Sequence, residues 1–286
     1  MKIEAYAKAN FTLEVFGERA DGFHALRSLV VPLSLHDTIE FDFADSFSCD
    51  TGYENDLCLK AAGALSARYR SDRGYAPRPV AVHVVKRIPA GGGLGGGSAD
   101  AAATLVALNE MWSTGLDMPQ LAHIGASVGS DVPALVFAQS GVPVVMEGRG
   151  EKVNPRLGLK RVFDLVVANP GVHSSTAEVY SRCISRVTDE PSIMYNIVRA
   201  VERGGVEDVA AALCNDLSGP AESLHPEIAA AKAALSGAGA MGATVCGSGA
   251  SVFGLAAGEA EAKEIVAAVR VKGFAAWTAK TCCPVV

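Results

Sequence analysis

Six glycines, interrupted once by a leucine, stand in Pro89-Ala90-Gly91-Gly92-Gly93-Leu94-Gly95-Gly96-Gly97-Ser98 between a strand-like segment and a helix-like one. Glycine admits positive φ and puts no side chain between backbone N–H groups and a ligand. A helix that starts at the end of such a run turns its unpaired N–H groups and the positive end of its dipole toward the same point. Together they make an anion cradle, and a polyphosphate is its natural occupant. Two other phosphate patterns fit less well. Gly91-x-Gly93-x-x-Gly96 has the dinucleotide spacing, but that pattern needs a strand ending in Asp or Glu about 20 residues on. Here that distance falls inside the following helix, which carries Glu110. The Walker-type loop needs a lysine after its last glycine, where this chain has Ser98. A plain hinge is the ordinary reading of a glycine run, but this many before a well-formed helix cost ordering entropy that a connection need not incur.

The elements around the loop follow from periodicity and punctuation. Val80–Val85 reads as the strand that enters it. Ser98 as N-cap, Asp100 near the first turn, and Ala101, Leu105, Leu108 and Trp112 at helical spacing read as the helix that leaves it. A second helix is expected from about Pro119 to Val128, with Gly129 in its C-terminal left-handed turn. Leu13 and Val15 alternate with polar neighbours, as do Ile39, Phe41 and Phe43, with an Asp-Gly turn in Ala20–Phe23 between the two runs; an antiparallel pair is expected. A composition break across Glu147–Leu159 (Gly148, Gly150, Pro155, Gly158) divides the chain into 1–155 and 156–286. Beyond it come a strand at Phe163–Ala168, helical stretches at Ser192–Leu213 and Pro226–Leu235, and a glycine-punctuated strand pair within Ala243–Leu255. Strands and helices mix without regular βαβ alternation, which favours α+β.

At 286 residues, 49 % hydrophobic and 20 % charged, the chain can bury a sizeable core. The net charge of −6 excludes the basic footprint of a nucleic-acid or anionic-membrane binder. No charged-then-apolar leader opens the sequence and no apolar run reaches the roughly 18–20 residues of a membrane span. Seven scattered cysteines, with no Cys-x-x-Cys pair, read as free thiols in a reducing compartment, the cytoplasm being expected. Vicinal Cys282–Cys283 alone make a poor metal site.

The glycine loop, taken with its surroundings, resembles the phosphate loop of the GHMP kinase superfamily, named for galactokinase, homoserine, mevalonate and phosphomevalonate kinases. Ala7-Lys8-Ala9-Asn10, Arg19-Ala20-Asp21-Gly22-Phe23-His24 and Gly129-Ser130-Asp131-Val132-Pro133 are similar to one branch of it. That branch phosphorylates a cytidine-diphosphate-linked methylerythritol in the non-mevalonate route to isoprenoid precursors. The similarity continues through Gly148-Arg149-Gly150-Glu151, Asn169-Pro170-Gly171, Asn215-Asp216-Leu217 and Gly247-Ser248-Gly249, nearly the whole chain in order. It implies a two-lobed α+β fold with the active site in the inter-lobe cleft, a small-molecule substrate, and a monomer or weak homodimer.

It further implies Lys8 and Asp131 as the catalytic pair, with ATP held by Pro89, Ala90, Gly91, Gly92, Gly93, Leu94, Gly95, Gly96, Gly97, Ser98 and Ala99. Phosphoryl transfer asks mainly for positioning, charge compensation and a base for the attacking hydroxyl. Asp131 would take that proton, Lys8 would favour its carboxylate form, and Mg²⁺ would bridge the β- and γ-phosphates with help from Ser98. Singly, Lys8 reads as a surface charge and Asp131 as a cap for the helix suggested by Val132–Ala138; their conjunction with the loop changes the reading. Phe23 and Tyr180 would sandwich the cytosine, stacking being worth roughly 1–3 kcal/mol per base. His24 would bond its edge, Asn10 and Thr176 would contact the substrate, and Lys86 and Asp100 the adenosine. The branch commonly has Tyr at position 23, a second serine at 99 and asparagine at 56; this chain has Phe23, Ala99 and Asp56. The competing expectations are a relative acting on homoserine, mevalonate or a sugar, and a catalytically silent nucleotide binder.

Overall fold

Residues 2–43 form one long antiparallel pair in the computed structural model: β1 (Lys2–Glu18) and β2 (His24–Phe43). The structure describes residues 1–156, 159, 161–186 and 191–282. The Asp-Gly turn is where the sequence puts it, with Gly22 at φ 79°. There Arg19 donates its N–H to Phe23 O and Gly22 donates to Arg19 O. Both strands run well beyond the alternating segments that announced them. The reason is burial: every residue from Ala7 to Val15 is buried, and a strand covered on both faces need not alternate apolar with polar. Pro32, which cannot donate to a ladder, lies in the stretch of β2 that neither of the strands on its far side reaches.

The chain continues through β3 (Ser48–Cys49), α1 (Leu57–Arg73), β4 (Val80–Val85), α2 (Gly96–Met111), α3 (Met118–Gly125), α4 (Val132–Ala138), β5 (Val144–Gly148) and β6 (Lys152–Pro155). Then come β7 (Asp164–Asn169), α5 (Thr176–Ser181), α6 (Pro191–Arg203), α7 (Val206–Ala212), β8 (Cys214–Asn215), α8 (Ser218–Leu224), α9 (Pro226–Gly237), β9 (Met241–Val245), β10 (Val252–Ala256), α10 (Glu259–Val271) and β11 (Ala275–Lys280). Two expectations shift. α3 starts one residue early, on a capping box between Asp117 and Gln120, and ends at Ala126 in the right-handed region; Gly129 takes no left-handed turn. The helical stretch expected around Ser192–Leu213 holds two helices, because Gly204 at φ 82° ends α6 and Gly205 opens α7. The composition break at Glu147–Leu159 holds the β5–β6 hairpin, which pairs onto β2. Gly158 of that break, and Cys283, lie outside the described residues.

Two sheets result. One runs β3-β4-β2-β1-β8, with β5 and β6 continuing from β2; the other is antiparallel, in the order β11-β7-β10-β9. The second sheet keeps strict period-2 alternation. Leu165, Val167, Phe253 and Leu255 pack into the core shared with β1, while Val166, Ala168 and Val252 pack under α9 and α10. Phe11 of β1 stacks on Phe253 of β10, ring centroids 5.8 Å apart at 20°, and both are fully buried. β8 adds a parallel edge to β1 at Thr12 and Leu13. Its flank is pinned by Asp216, which accepts from Val15 N–H and from the Arg186 guanidinium. Among the described residues no helix is long and apolar enough to cross a membrane.

The Phe11–Phe253 stack ties the sheet of the first half to that of the second. Phe253→Ala is expected to cost about 3–5 kcal/mol in urea unfolding, and a double-mutant cycle with Phe11→Ala to return a coupling of about 0.5–1.5 kcal/mol.

Candidate active site

The glycine loop is held rigid from both sides. Gly91, Gly93 and Gly95 all have positive φ, of 65°, 72° and 75°. A Cβ on Gly93 would come within 1.8 Å of the Cys246 carbonyl oxygen, so this position admits no side chain. Ala250 and Ser251 donate their N–H groups to Gly91 O and Gly92 O, each at 3.2 Å. The segment Cys246–Ser251 therefore acts as the loop's second wall. Asn215 carries it in turn, donating to Val245 O and Gly247 O at 2.8 Å each. The segments Asn215-Asp216-Leu217 and Gly247-Ser248-Gly249 thus gain a role that no local pattern in them indicates.

Helix α2 begins earlier than the sequence suggests. Gly95, in the left-handed region, occupies the N-cap, and Ala99 N–H already bonds Gly95 O. Ser98 is not the cap; it lies in the first turn and lines the cleft. Gly96, Gly97 and Ser98 line the cleft and are the residues whose N–H groups the helix itself leaves without partners. Leu94 and Ala99 are fully buried and bring no side chain to the cleft. Leu94 instead accepts the backbone N–H of Lys8 at 3.0 Å, which fastens β1 to the loop.

Lys8 and Asp131 meet beside this helix start. Lys8, only 4 % exposed, donates from Nζ to Asn10 Oδ1 at 2.7 Å and lies 3.3 Å from Asp131 Oδ2. A buried ammonium requires such partners. Asn10 is oriented by donating to Ser28 Oγ at 2.7 Å, and that hydroxyl donates to Thr12 O. Asp131 occupies the N-cap position of α4, yet its side chain makes no capping bond and stays available to the cleft. Gly95 is again the permissive neighbour, since a Cβ there would lie 3.2 Å from Lys8 Cγ.

The cleft, about 780 Å³, extends from this pair in two directions. One wall carries Leu13, Leu26, Met146, Thr176 and Tyr180. The β1–β2 register slips between Asn10 and Thr12, and it is Leu13 that joins Lys8 and Asn10 on the lining. Thr176 shares a hydrogen bond with Ser248 at 2.9 Å. Burial pushes the Tyr180 hydroxyl pKa above its ordinary value, and the charge of Asp131 adds to it. His24 stacks on Tyr180, centroids 5.6 Å apart at 30°, while Phe23 is 47 % exposed with the Arg149 guanidinium 5.2 Å from its ring centre. Among the described residues the buried Nδ1 of His24 has no partner. His173, which no pattern singled out, lines the cleft against Gly91.

In the other direction, Lys86 is committed to protein rather than free. Its Nζ lies 2.5 Å from both Asp37 Oδ2 and Asp100 Oδ2. Fully buried Asp37 also accepts from Arg87 N–H and Ile88 N–H, clamping the chain where it enters the glycine loop. Asp37 is the positioning residue that the sequence hides. Burial pushes the Asp100 carboxyl up to about 7, against the pull of Lys86 and helped by nearby Asp37. For Lys86 the two carboxylates outweigh the effect of burial, and its pKa is raised. Among the described residues Asp100 Oδ1 is buried without a partner.

The GHMP kinases N terminal domain family matches residues 56–139, and the GHMP kinases C terminal family residues 197–275. Over 291 residues the chain is 36 % identical to a 4-diphosphocytidyl-2-C-methyl-D-erythritol kinase of Symbiobacterium thermophilum, covering 98 % of this chain and 99 % of that one. A protein of the same name from Pelotomaculum thermopropionicum is 38 % identical, with 93 % and 92 % covered. A solved structure of 4-(cytidine 5'-diphospho)-2C-methyl-D-erythritol kinase superposes with a TM-score of 0.82 over 99 % of both chains at 32 % identity. Homoserine kinase from Cytophaga hutchinsonii, at 16 % identity and a TM-score of 0.75, shares the α+β fold.

The raised Asp100 pKa makes a stability prediction whose sign is fixed. From its ordinary 3.8 up to about 7 the folded protein holds a proton there that the unfolded chain has lost, so this group's contribution falls as pH rises. Urea unfolding of the native protein and Asp100→Asn at pH values across that window should show the native protein losing ground to the variant. The slope should reach at most about 1.4 kcal/mol per pH unit and level off above the folded pKa.

Proposed function

The chain belongs to the 4-diphosphocytidyl-2-C-methyl-D-erythritol kinase family of the GHMP kinases, and on that premise we propose that its cleft transfers the γ-phosphoryl group of ATP to the 2-hydroxyl of 4-diphosphocytidyl-2-C-methyl-D-erythritol, a step toward isoprenoid precursors. The observation that carries the reading is the 3.3 Å approach of Lys8 Nζ to Asp131 Oδ2 beside the open N–H groups of α2. The N–H groups of Gly96, Gly97 and Ser98 and the dipole of α2 hold the phosphates. Asp131 accepts the proton of the attacking hydroxyl. Lys8, fixed by Asn10, positions that carboxylate and the acceptor oxygen, and its charge offsets part of the charge on the transferring group.

A hard cation that keeps phosphate and water oxygens as its main ligands suits this cleft, because the Ser98 hydroxyl and the Asp131 carboxylate stand on its lining as oxygen donors. Mg²⁺ held there would neutralise charge on the β- and γ-phosphates. At the far wall, the His24–Tyr180 stack takes the cytosine against one face, with His24 Nδ1 as a polar contact. Phe23, out on the turn, closes over the other side, and Thr176 and Asn10 meet the acceptor chain. Lys86 and Asp100, locked together through Asp37, shape the adenosine side. Two lobes, 1–155 and 156–286, accord with family matches that end at residue 139 and resume at 197. The net charge of −6 and the free cysteines accord with a cytoplasmic enzyme that binds no nucleic acid.

Purified protein with Mg-ATP should release ADP only when the cytidine diphosphate substrate is added. Equal ADP release with mevalonate or homoserine would contradict the assignment. Asp131→Asn should lower kcat by about 10²–10⁴-fold with ATP affinity nearly intact, and a fully active variant would remove Asp131 from the role of base.

A further inference from the structure

Cys49, Asp56 and Cys58 look unrelated in sequence, and the fold gathers them. Cys49 ends β3, Asp56 is the N-cap of α1, and Cys58 is the second residue of that helix. The two sulfurs and a carboxylate oxygen all lie within 4.8 Å of one another. Both thiols are free; Cys58 is 1 % exposed, Asp56 is 7 % exposed, and Cys49 is half-buried. The carboxylate is oriented from two sides. Leu59 N–H donates to Asp56 Oδ1 at 2.8 Å, and the Thr51 hydroxyl donates to Oδ2. Thr51 Oγ1 also lies 3.9 Å from Cys49 Sγ.

A second, independent feature adjoins this cluster. A side cavity of about 360 Å³ is lined by Thr51, Asp56, Cys58, Gly97 and Asp100, giving an entry path from solvent. Asp100, 3 % exposed, lines that same cavity and has a buried Oδ1 with no partner among the described residues.

We propose that Cys49, Asp56 and Cys58 form a binding site for a thiophilic divalent cation of the zinc class, beside the phosphate loop and separate from the Lys8–Asp131 pair. Zinc–sulfur and zinc–oxygen bonds of about 2.3 and 2.1 Å place tetrahedral ligands about 3.5–3.8 Å apart, so small side-chain rotations close the observed separations. Two thiolates and one carboxylate fill three positions. The fourth opens to the cavity for a water molecule, for which Asp100 Oδ1 is a waiting acceptor. Binding exchanges the two S–H protons for metal–sulfur bonds and releases them to solvent. Thiolate ligands select such a cation over Mg²⁺, which prefers oxygen donors. Thr51 acts from outside the ligand set, holding the carboxylate in place.

The test uses the reduced, chelator-stripped protein and Co²⁺ as an optical probe. A near-ultraviolet thiolate-to-cobalt absorbance should saturate at a single equivalent and disappear on adding zinc. Cys49→Ser and Cys58→Ser should each abolish it, whereas Cys214→Ser should leave it intact. Asp56→Asn, which keeps the helix cap, and Thr51→Val should each weaken cobalt binding by about tenfold or more. Because Cys58→Ser removes a buried group, alkylation of Cys49 in the unmutated protein provides a check that needs no variant: zinc should slow it at least severalfold. No absorbance in the native protein, absorbance that survives in Cys49→Ser, or alkylation indifferent to zinc would each overturn the site.

Discussion

An ammonium group buried to 4 % exposure has to be met by fixed polar partners, and the way Lys8 is met organises this protein. Its amide anchors to the glycine loop through Leu94 O, and its Nζ reaches Asn10 along the same strand and Asp131 from the start of α4. Three segments far apart in sequence are thereby brought to one point. The length of β1 and β2 follows from the same need, because a strand carrying Lys8, Asn10, Thr12 and Glu14 inside the protein must be covered on both faces. Glu14 is matched by Arg27 across the pair, at 2.9 and 3.0 Å.

Glycine makes this arrangement possible by allowing backbones to approach. Gly93 lies against the Cys246 carbonyl, closer than any side chain would allow, and Gly95 leaves room for the Lys8 stem. The second half of the chain therefore does more than cover the first. Through Asn215 and the Cys246–Ser251 segment it fixes the far wall of the phosphate loop, so the cradle exists only when both sheets are assembled. Phe11 on Phe253 is the apolar counterpart of that polar junction.

Legibility in the sequence divides along the range of the interaction. The strand Val80–Val85, the glycine run and its helix, and the Asp-Gly hairpin are encoded by neighbours, and the structure has them where the local signals put them. The N-cap of α2 lies three residues before Ser98, because a left-handed Gly95 caps the helix without any side-chain signal. Asp37 gave no signal, since its partners Lys86, Arg87 and Ile88 lie some fifty residues on and an isolated aspartate in a strand looks like a surface charge. The same holds for Asn215 and His173. The His24–Tyr180 contact gave no local signal either, since it joins the first residue of β2 to α5 across the fold.

Whether Lys8 and Asp131 act as one unit is the question on which the account turns. A double-mutant cycle on kcat, using Lys8→Met, Asp131→Asn and the combined variant at saturating substrates, addresses it directly, with circular dichroism to confirm that each is folded. Groups that work as a unit lose their effect together. The account predicts that the combined variant is no slower than the slower single variant. Losses that multiply independently would contradict it.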